Sequence, residues 1–236
     1  MRSMSYSSVI MESMNKYPEL RIIDTKKIYK EKFSYVPEPA FHKAVSRMTK
    51  NGDILRIGKG VYCKPKKGRF GTVASSESDI LEHYLGKGKN KGVIVGYKMY
   101  NRYGLTTQIS KTAEVYSKVS LEDKKTVKNV LVQRINLDFN EKTIKMIELL
   151  EVLQNYRRIE DLSSHAVKAF IEDSVRYYDN GILKKLMDKI GYKKSTLASL
   201  KNVLDFYNIE NDISQYLNGT SKYNPLRMEE LNDITS

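Results

Sequence analysis

Hydrophobic positions in the first fifty residues recur at helical spacing in short blocks. Ile10, Met11 and Met14 give the segment Ser5 to Tyr17 an apolar side, and Pro18 ends it. A second helix is predicted from the N-cap candidate Asp24 through Lys32, with Ile28 and Tyr29 on one face. A third follows Pro37 and Pro39, which suit a helix entry, and ends at Asn51-Gly52, which favours a left-handed cap. Its inward face is Phe41, Ala44, Val45 and Met48. The period then becomes extended: Ile54 to Ile57 and Val61 to Lys64 form a predicted hairpin, with Gly58 and Gly60 on either side of Lys59. Pro65 to Gly71 reads as a linker or the end of a wing.

Beyond residue 70 the pattern is mixed. Ser76 to Leu85 is a predicted helix, broken by Gly86, Gly88 and Gly92, and Val93 to Tyr97 is a short buried strand. One or two helical turns follow over Lys98 to Tyr103, then strands over Val115 to Val119 and Val127 to Ile135. Asn140 to Gln154 is a helix with Ile144, Ile147, Leu150 and Leu153 inward. Helices are also predicted over Ser164 to Tyr178, Gly181 to Ile190 and Thr196 to Tyr207, and the polar tail after Tyr216 is expected to fray.

Charge sharpens this division. The chain has 236 residues and a formal net charge of +13, of which residues 1–70 carry +10 and residues 71–236 carry +3. A basic segment of this kind neutralises phosphates and releases counterions, although lysine-rich surfaces also occur without that use. A single cysteine, Cys63, excludes an internal disulfide framework; with three histidines and no zinc-type spacing, no metal or other cofactor is expected. No apolar run is long enough for a membrane span, and a cytoplasmic location is expected.

The third helix is the sharpest candidate site. Opposite its apolar face lie Lys43, Ser46 and Lys50, flanked by His42 and Arg47, a mixture of phosphate-binding and base-edge donors. An ordinary solvated helix face has the same composition. The preceding short helix, the turn through Ser34-Tyr35 and the glycine-tipped basic hairpin favour a winged helix-turn-helix. Arg56 and Lys59 would then meet the DNA backbone, with Lys64, Lys66, Lys67 and Arg69 following.

Enzyme constellations are weak. Gly86-Lys87-Gly88-Lys89 lacks phosphate-loop spacing, and Asp138, Glu141 and Lys142 are the nearest approach to a nuclease centre but fit a helix start. His42, His83 and His165 have no convincing catalytic partner, and Cys63 reads as a buried strand residue. Tyr97, Tyr100 and Tyr103 could stack on single-stranded bases, but packing beside a buried strand is the favoured use. No enzymatic activity is expected.

The string Met48-x-x-x-Gly52-x-Ile54-x-Arg56-Ile57-x-x-Gly60-Val61-Tyr62 resembles the N-terminal block of AbiEi-type antitoxins. Gly96-Tyr97-x-x-Tyr100-x-x-Tyr103-Gly104-Leu105-Thr106-Thr107-Gln108 resembles a segment of that family's second domain. Together the two blocks extend the resemblance over about residues 20–155. It implies a bacterial antitoxin of a type IV, phage-defence system. Such a protein binds duplex DNA at repeats in its own promoter, represses transcription, and counters a nucleotidyltransferase-like toxin without requiring a stable complex with it.

The expected architecture is α+β: a winged helix-turn-helix over 1–70, a mixed α/β domain over 71–160 and a helical region over 161–236. A cut at the first boundary is expected to expose little core. Two alternatives remain at this point: a stand-alone winged-helix regulator whose second domain senses a ligand or partner, and a metal-dependent nuclease with a DNA-reading head.

Overall fold

Short polar side chains start most of the helices, each accepting an orphan backbone N–H. Ser5 does so for α1 (Tyr6–Asn15), Asp24 for α2 (Thr25–Ile28), Asn140 for α6 (Glu141–Asn155), Ser163 for α7 (Ser164–Val175) and Asp179 for α8 (Asn180–Lys189). Ser76 and Asp79 form a reciprocal capping box on α4 (Glu77–Leu85). Three α-helices start without a side-chain cap: α3 (Glu38–Lys50), entered through Pro37, α5 (Tyr97–Arg102), entered through Gly96, and α9 (Lys194–Phe206). The computed structural model describes residues 5–69, 71–219 and 223–231.

The strands are β1 (Ile22–Asp24), β2 (Leu55–Gly58), β3 (Val61–Cys63), β4 (Lys66–Gly68), β5 (Gly71–Val73), β6 (Gly92–Val95), β7 (Ala113–Ser117), β8 (Lys124–Val127) and β9 (Val130–Arg134). Seven form one sheet in the order β1-β3-β2-β8-β9-β7-β6, antiparallel except for β7 beside β9. The sheet crosses position 70 because β2 pairs with β8 through Gly58 and Val127. Strands β4 and β5 pair only with each other. The fold is mixed α/β with a helical C-terminal part.

Three apolar clusters organise it. Ile10, Met14, Ile23, Phe33, Phe41 and Met48 pack α1 and α3 together. Ile57, Val61 and Cys63 share a second cluster with Ile80, Tyr84 and Val127, so the first boundary is not a place where little core would be exposed. The third cluster runs from Val93 on β6 to Leu231 and takes in α5 (Tyr97–Arg102), α6, α7, α8 and α9. Residue 70, where the charge step was placed, lies outside the described residues.

Several local expectations change. The second helix ends at Ile28 and continues as a π-helical turn over Tyr29–Phe33. The strand expected over Val127 to Ile135 is a hairpin of β8 and β9, because Lys128 adopts a left-handed φ of 51° without any glycine signal. The polar tail does not fray throughout: Leu226, Met228 and Leu231 are buried in the helical core.

Helix α6 is the axis of that core. Ile147, Leu150 and Leu153 are buried as predicted, but so are Met146, Leu149 and Val152, because the sheet covers one side and the C-terminal helices the other. Glu148 and Glu151 are drawn inside with them. Glu148 accepts from Arg102 at 2.5 Å and from the Tyr103 hydroxyl at 2.6 Å. Glu151 accepts from Tyr116 at 2.9 Å and Tyr192 at 3.1 Å, and has no ion pair among the described residues. The tyrosine triplet is thereby accounted for: Tyr103 bonds Glu148, Tyr100 donates to the Glu151 carbonyl at 3.3 Å, and Tyr97 donates to the Arg158 carbonyl at 3.3 Å.

Glu151 makes stability pH-dependent in a defined direction. Burial raises its pKa above the ordinary 4.5, against the hydrogen bonds from Tyr116 and Tyr192 that lower it. The folded state therefore holds this proton more tightly than the unfolded chain, favouring folding below 4.5 and losing that contribution as pH rises through the raised value. Glu151→Gln should gain stability relative to the parent as pH rises from about 4 to about 7. Urea unfolding of both chains across that range checks it, and a constant difference would overturn it.

A buried ion pair joins the edge strand β1 to the central strand β8. Asp24 Oδ1 caps α2, while its Oδ2 meets Lys125 Nζ of β8 at 2.8 Å, with side chains 8% and 4% exposed. Replacing Lys125 by Ala leaves the carboxylate buried without its cation and should cost about 3–5 kcal/mol. The urea midpoint measures this; a shift worth less than about 1 kcal/mol would show that water readily replaces the lysine.

Candidate nucleic-acid interface

Helix α3 presents its two faces as its sequence requires. Phe41, Ala44, Val45 and Met48 are at most 3% exposed. His42, Lys43, Ser46, Arg47 and Lys50 are all exposed. Lys43, Arg47 and Lys50 follow one another at i, i+4 and i+7 and so form one stripe, with Ser46 beside it. Among the described residues none of these three cations has an ion-pair partner, whereas His42 Nε2 lies 3.4 Å from Glu38 one turn earlier.

The helix ends firmly. Gly52 takes φ +77°, its N–H bonds the Thr49 carbonyl at 3.2 Å, and the Asp53 N–H bonds the Met48 carbonyl at 2.9 Å. This is the doubly bonded left-handed cap, so Lys50 sits at a defined helix end.

The predicted hairpin of β2 and β3 forms, with Gly60 at φ +66° and Lys59 exposed at its turn. It does not stand free. Strand β1 flanks β3 and β8 flanks β2, and Thr25 clasps the turn through its N–H and hydroxyl, both donating to the Gly60 carbonyl at 3.0 and 2.9 Å. Arg56 is exposed but its Nε donates to the Gly58 carbonyl at 3.3 Å, and Lys64 donates to Asn15 Oδ1 of α1 at 2.9 Å. Both are partly engaged inside the protein.

The segment read as a linker is a second, exposed ribbon. Lys66 pairs with Val73, Lys67 with Thr72 and Gly68 with Gly71, and all six residues are exposed. Lys66 and Lys67 thus project from a β-ribbon carrying no carboxylate, with Arg69 directly after β4. Sequence reasoning missed the ribbon because its strands are three residues long and lack an apolar alternation. It also passed over Tyr35, 63% exposed in the turn before α3; an aromatic in a polar turn was the available signal.

Beside the basic end, a cleft of about 680 Å³ is lined by Arg21, Lys27, His83, Lys87 and Lys91 together with Glu19, Asp79 and Glu82. Burial, helped by Arg21 and Lys27, pushes His83 down to about 4, so it is neutral at physiological pH. Of the nuclease candidates, Asp138 is fully exposed 3.5 Å from Lys118, and Glu141 accepts from the Tyr177 hydroxyl at 3.2 Å. Cys63 is fully buried in β3.

A family model matches residues 26–195, well over half of the chain. The chain belongs to DUF6088, a family of unknown function. The matched span begins in α2 and takes in α3, both hairpins and all of α6, so the basic surface falls almost entirely within the DUF6088 region. No curated protein matches the chain. Among solved structures it is similar to the crystal structure of the RV2827C protein from Mycobacterium tuberculosis, at 9% identity and a TM-score of 0.41, over 99% of this chain and 96% of that one. Within this DUF6088 chain no described helix is long and apolar enough to cross a membrane.

The position of Lys59 depends on Gly58. A Cβ there would lie 3.0 Å from the Thr126 carbonyl oxygen and 3.3 Å from Val127 Cα, both backbone atoms that cannot swing away. Gly58→Val should force β2 from β8 and lower stability by about 1–3 kcal/mol. Thermal unfolding checks this, and an unchanged midpoint would show that the two strands separate without cost.

Proposed function

We propose that the chain is a duplex-DNA-binding autorepressor whose residues 1–70 act as a winged helix-turn-helix, and that it serves as the antitoxin of an AbiE-like type IV system. In this reading α3 enters the major groove and presents Lys43, Ser46, Arg47 and Lys50, while Lys59, Lys66 and Lys67 neutralise the flanking backbone. The observation that carries the DNA-binding half is the exposed stripe of α3, whose three cations have no ion pair among the described residues, beside an exposed basic ribbon. Cations without an internal partner surrender no protein contact on meeting phosphate, so the counterion release they drive is largely net gain. His42 and Arg56 take lesser roles because Glu38 and the Gly58 carbonyl already engage them. The antitoxin half rests on the resemblance of the two sequence blocks to AbiEi proteins.

The decisive measurement is binding to the chain's own promoter DNA across a salt series. Replacing Lys43, Arg47 and Lys59 together by Ala should weaken binding and flatten the slope of log K against log salt by up to about 2.7, at about 0.9 per lost phosphate contact. Because all three side chains are exposed, circular dichroism should be unchanged. Retained affinity and slope in a folded triple variant would remove this surface from consideration. Co-expression with the product of the neighbouring gene tests the antitoxin half separately: the parent should restore growth, and failure to do so would leave a stand-alone regulator.

A further inference from the structure

A cleft of about 480 Å³ opens where β6, the end of α5 and the first turns of α6 meet, within the range of small-molecule sites. Its apolar lining comes from Leu85, Val93, Ile94, Phe139 and Ile144. Gly88 and Gly92 also line it and contribute no side chain to fill the space. At Gly92 none could be added, since a Cβ would fall 2.4 Å from the Tyr116 carbonyl oxygen.

The charges around it are unevenly committed. Glu148, 2% exposed, is saturated by Arg102 and the Tyr103 hydroxyl, and Glu141 accepts from Tyr177. Lys145 reaches the Tyr103 hydroxyl and Asp173, each at 3.3 Å, but Asp173 is shared with Arg176 at 2.5 Å. Lys89 has no ion-pair partner among the described residues. Arg102 gives one amino group to Glu148 and retains other donors. Glu148 is thus paired with Arg102, while exposed Glu141 is bonded only by a neutral hydroxyl; against these two carboxylates stand three cations with spare N–H groups and the partial positive charge at the start of the fifteen-residue helix α6.

We propose that this cleft binds a small molecule that combines an apolar ring system with one anionic group, the rings lying on Phe139, Ile144 and Val93 and the anion held by Lys89, Arg102 and Lys145. The site is independent of the DNA-binding surface and does not rest on that reading.

The test uses the full chain and two probes of like shape: anilinonaphthalene sulfonate, which is anionic, and N-phenyl-1-naphthylamine, which is not. Fluorescence titration should give saturable binding of the sulfonate, about tenfold tighter than the neutral probe. Lys89→Glu, at an exposed position, should weaken the sulfonate about tenfold and leave the neutral probe unchanged. Ile144→Trp, which fills the half-buried floor, should abolish both while circular dichroism stays constant. No saturable binding, equal affinity for the two probes, or a sulfonate affinity unmoved by Lys89→Glu would each overturn the proposal. Because Lys89→Glu alters only a surface side chain, it decides the matter even if Ile144→Trp does not fold.

Discussion

The pairing of Asp24 with Lys125 is the contact on which the geometry of the basic end depends. One carboxylate caps α2 with one oxygen and binds a buried ammonium with the other. Lys125 belongs to β8, so the pair bridges from the end of β1 across β3 and β2 to the far half of the sheet. Removing two charges from water is costly, and here the cost is met by short geometry and shared hydrogen bonds. Around it, Tyr84 is 1% exposed and its hydroxyl has no hydrogen-bond partner among the described residues; burial, reinforced by Asp24 and Glu122, keeps it protonated. The pair is buried, so a change in either charge is felt.

That constraint makes β1, β2 and β3 part of a continuous frame with the rest of the sheet. Thr25, immediately after Asp24, clasps the turn that carries Lys59, and Gly58 lets β2 lie against β8. A surface held this way loses little conformational freedom when it meets a partner, which favours binding without new contacts. Lys98 pairs with Glu77, Arg102 with Glu148 and Lys201 with Asp205, whereas Lys43, Arg47 and Lys50 of α3 have no ion-pair partner among the described residues.

Helix α6 plays the corresponding role for the rest of the chain. A helix buried on nearly all sides must satisfy any polar group it buries, and its two buried glutamates are met by an arginine and a set of tyrosines. The same tyrosines tie α5, β7 and the segment before α9 to one element. Arg102 and Tyr103, held by Glu148, then become the polar edge of the cleft beside β6.

Local chemistry was legible in the residues themselves. Helix starts at Ser76 and Asn140, the left-handed stop at Gly52, the apolar face of α3, its exposed cations and the glycine turn at Lys59 all follow from side-chain volume, capping geometry and permitted φ, which act within a few positions along the chain. The AbiEi-like blocks added an expectation of function, which composition alone would not supply. What only the tertiary structure decided is long-range: that β2 joins β8, that Asp24 finds Lys125, that a stretch resembling a linker is a free ribbon, and that α6 is covered on both sides. These depend on pairings between segments up to 101 residues apart, as for Asp24 and Lys125, and no local propensity encodes which distant partner a strand edge or a buried charge will meet.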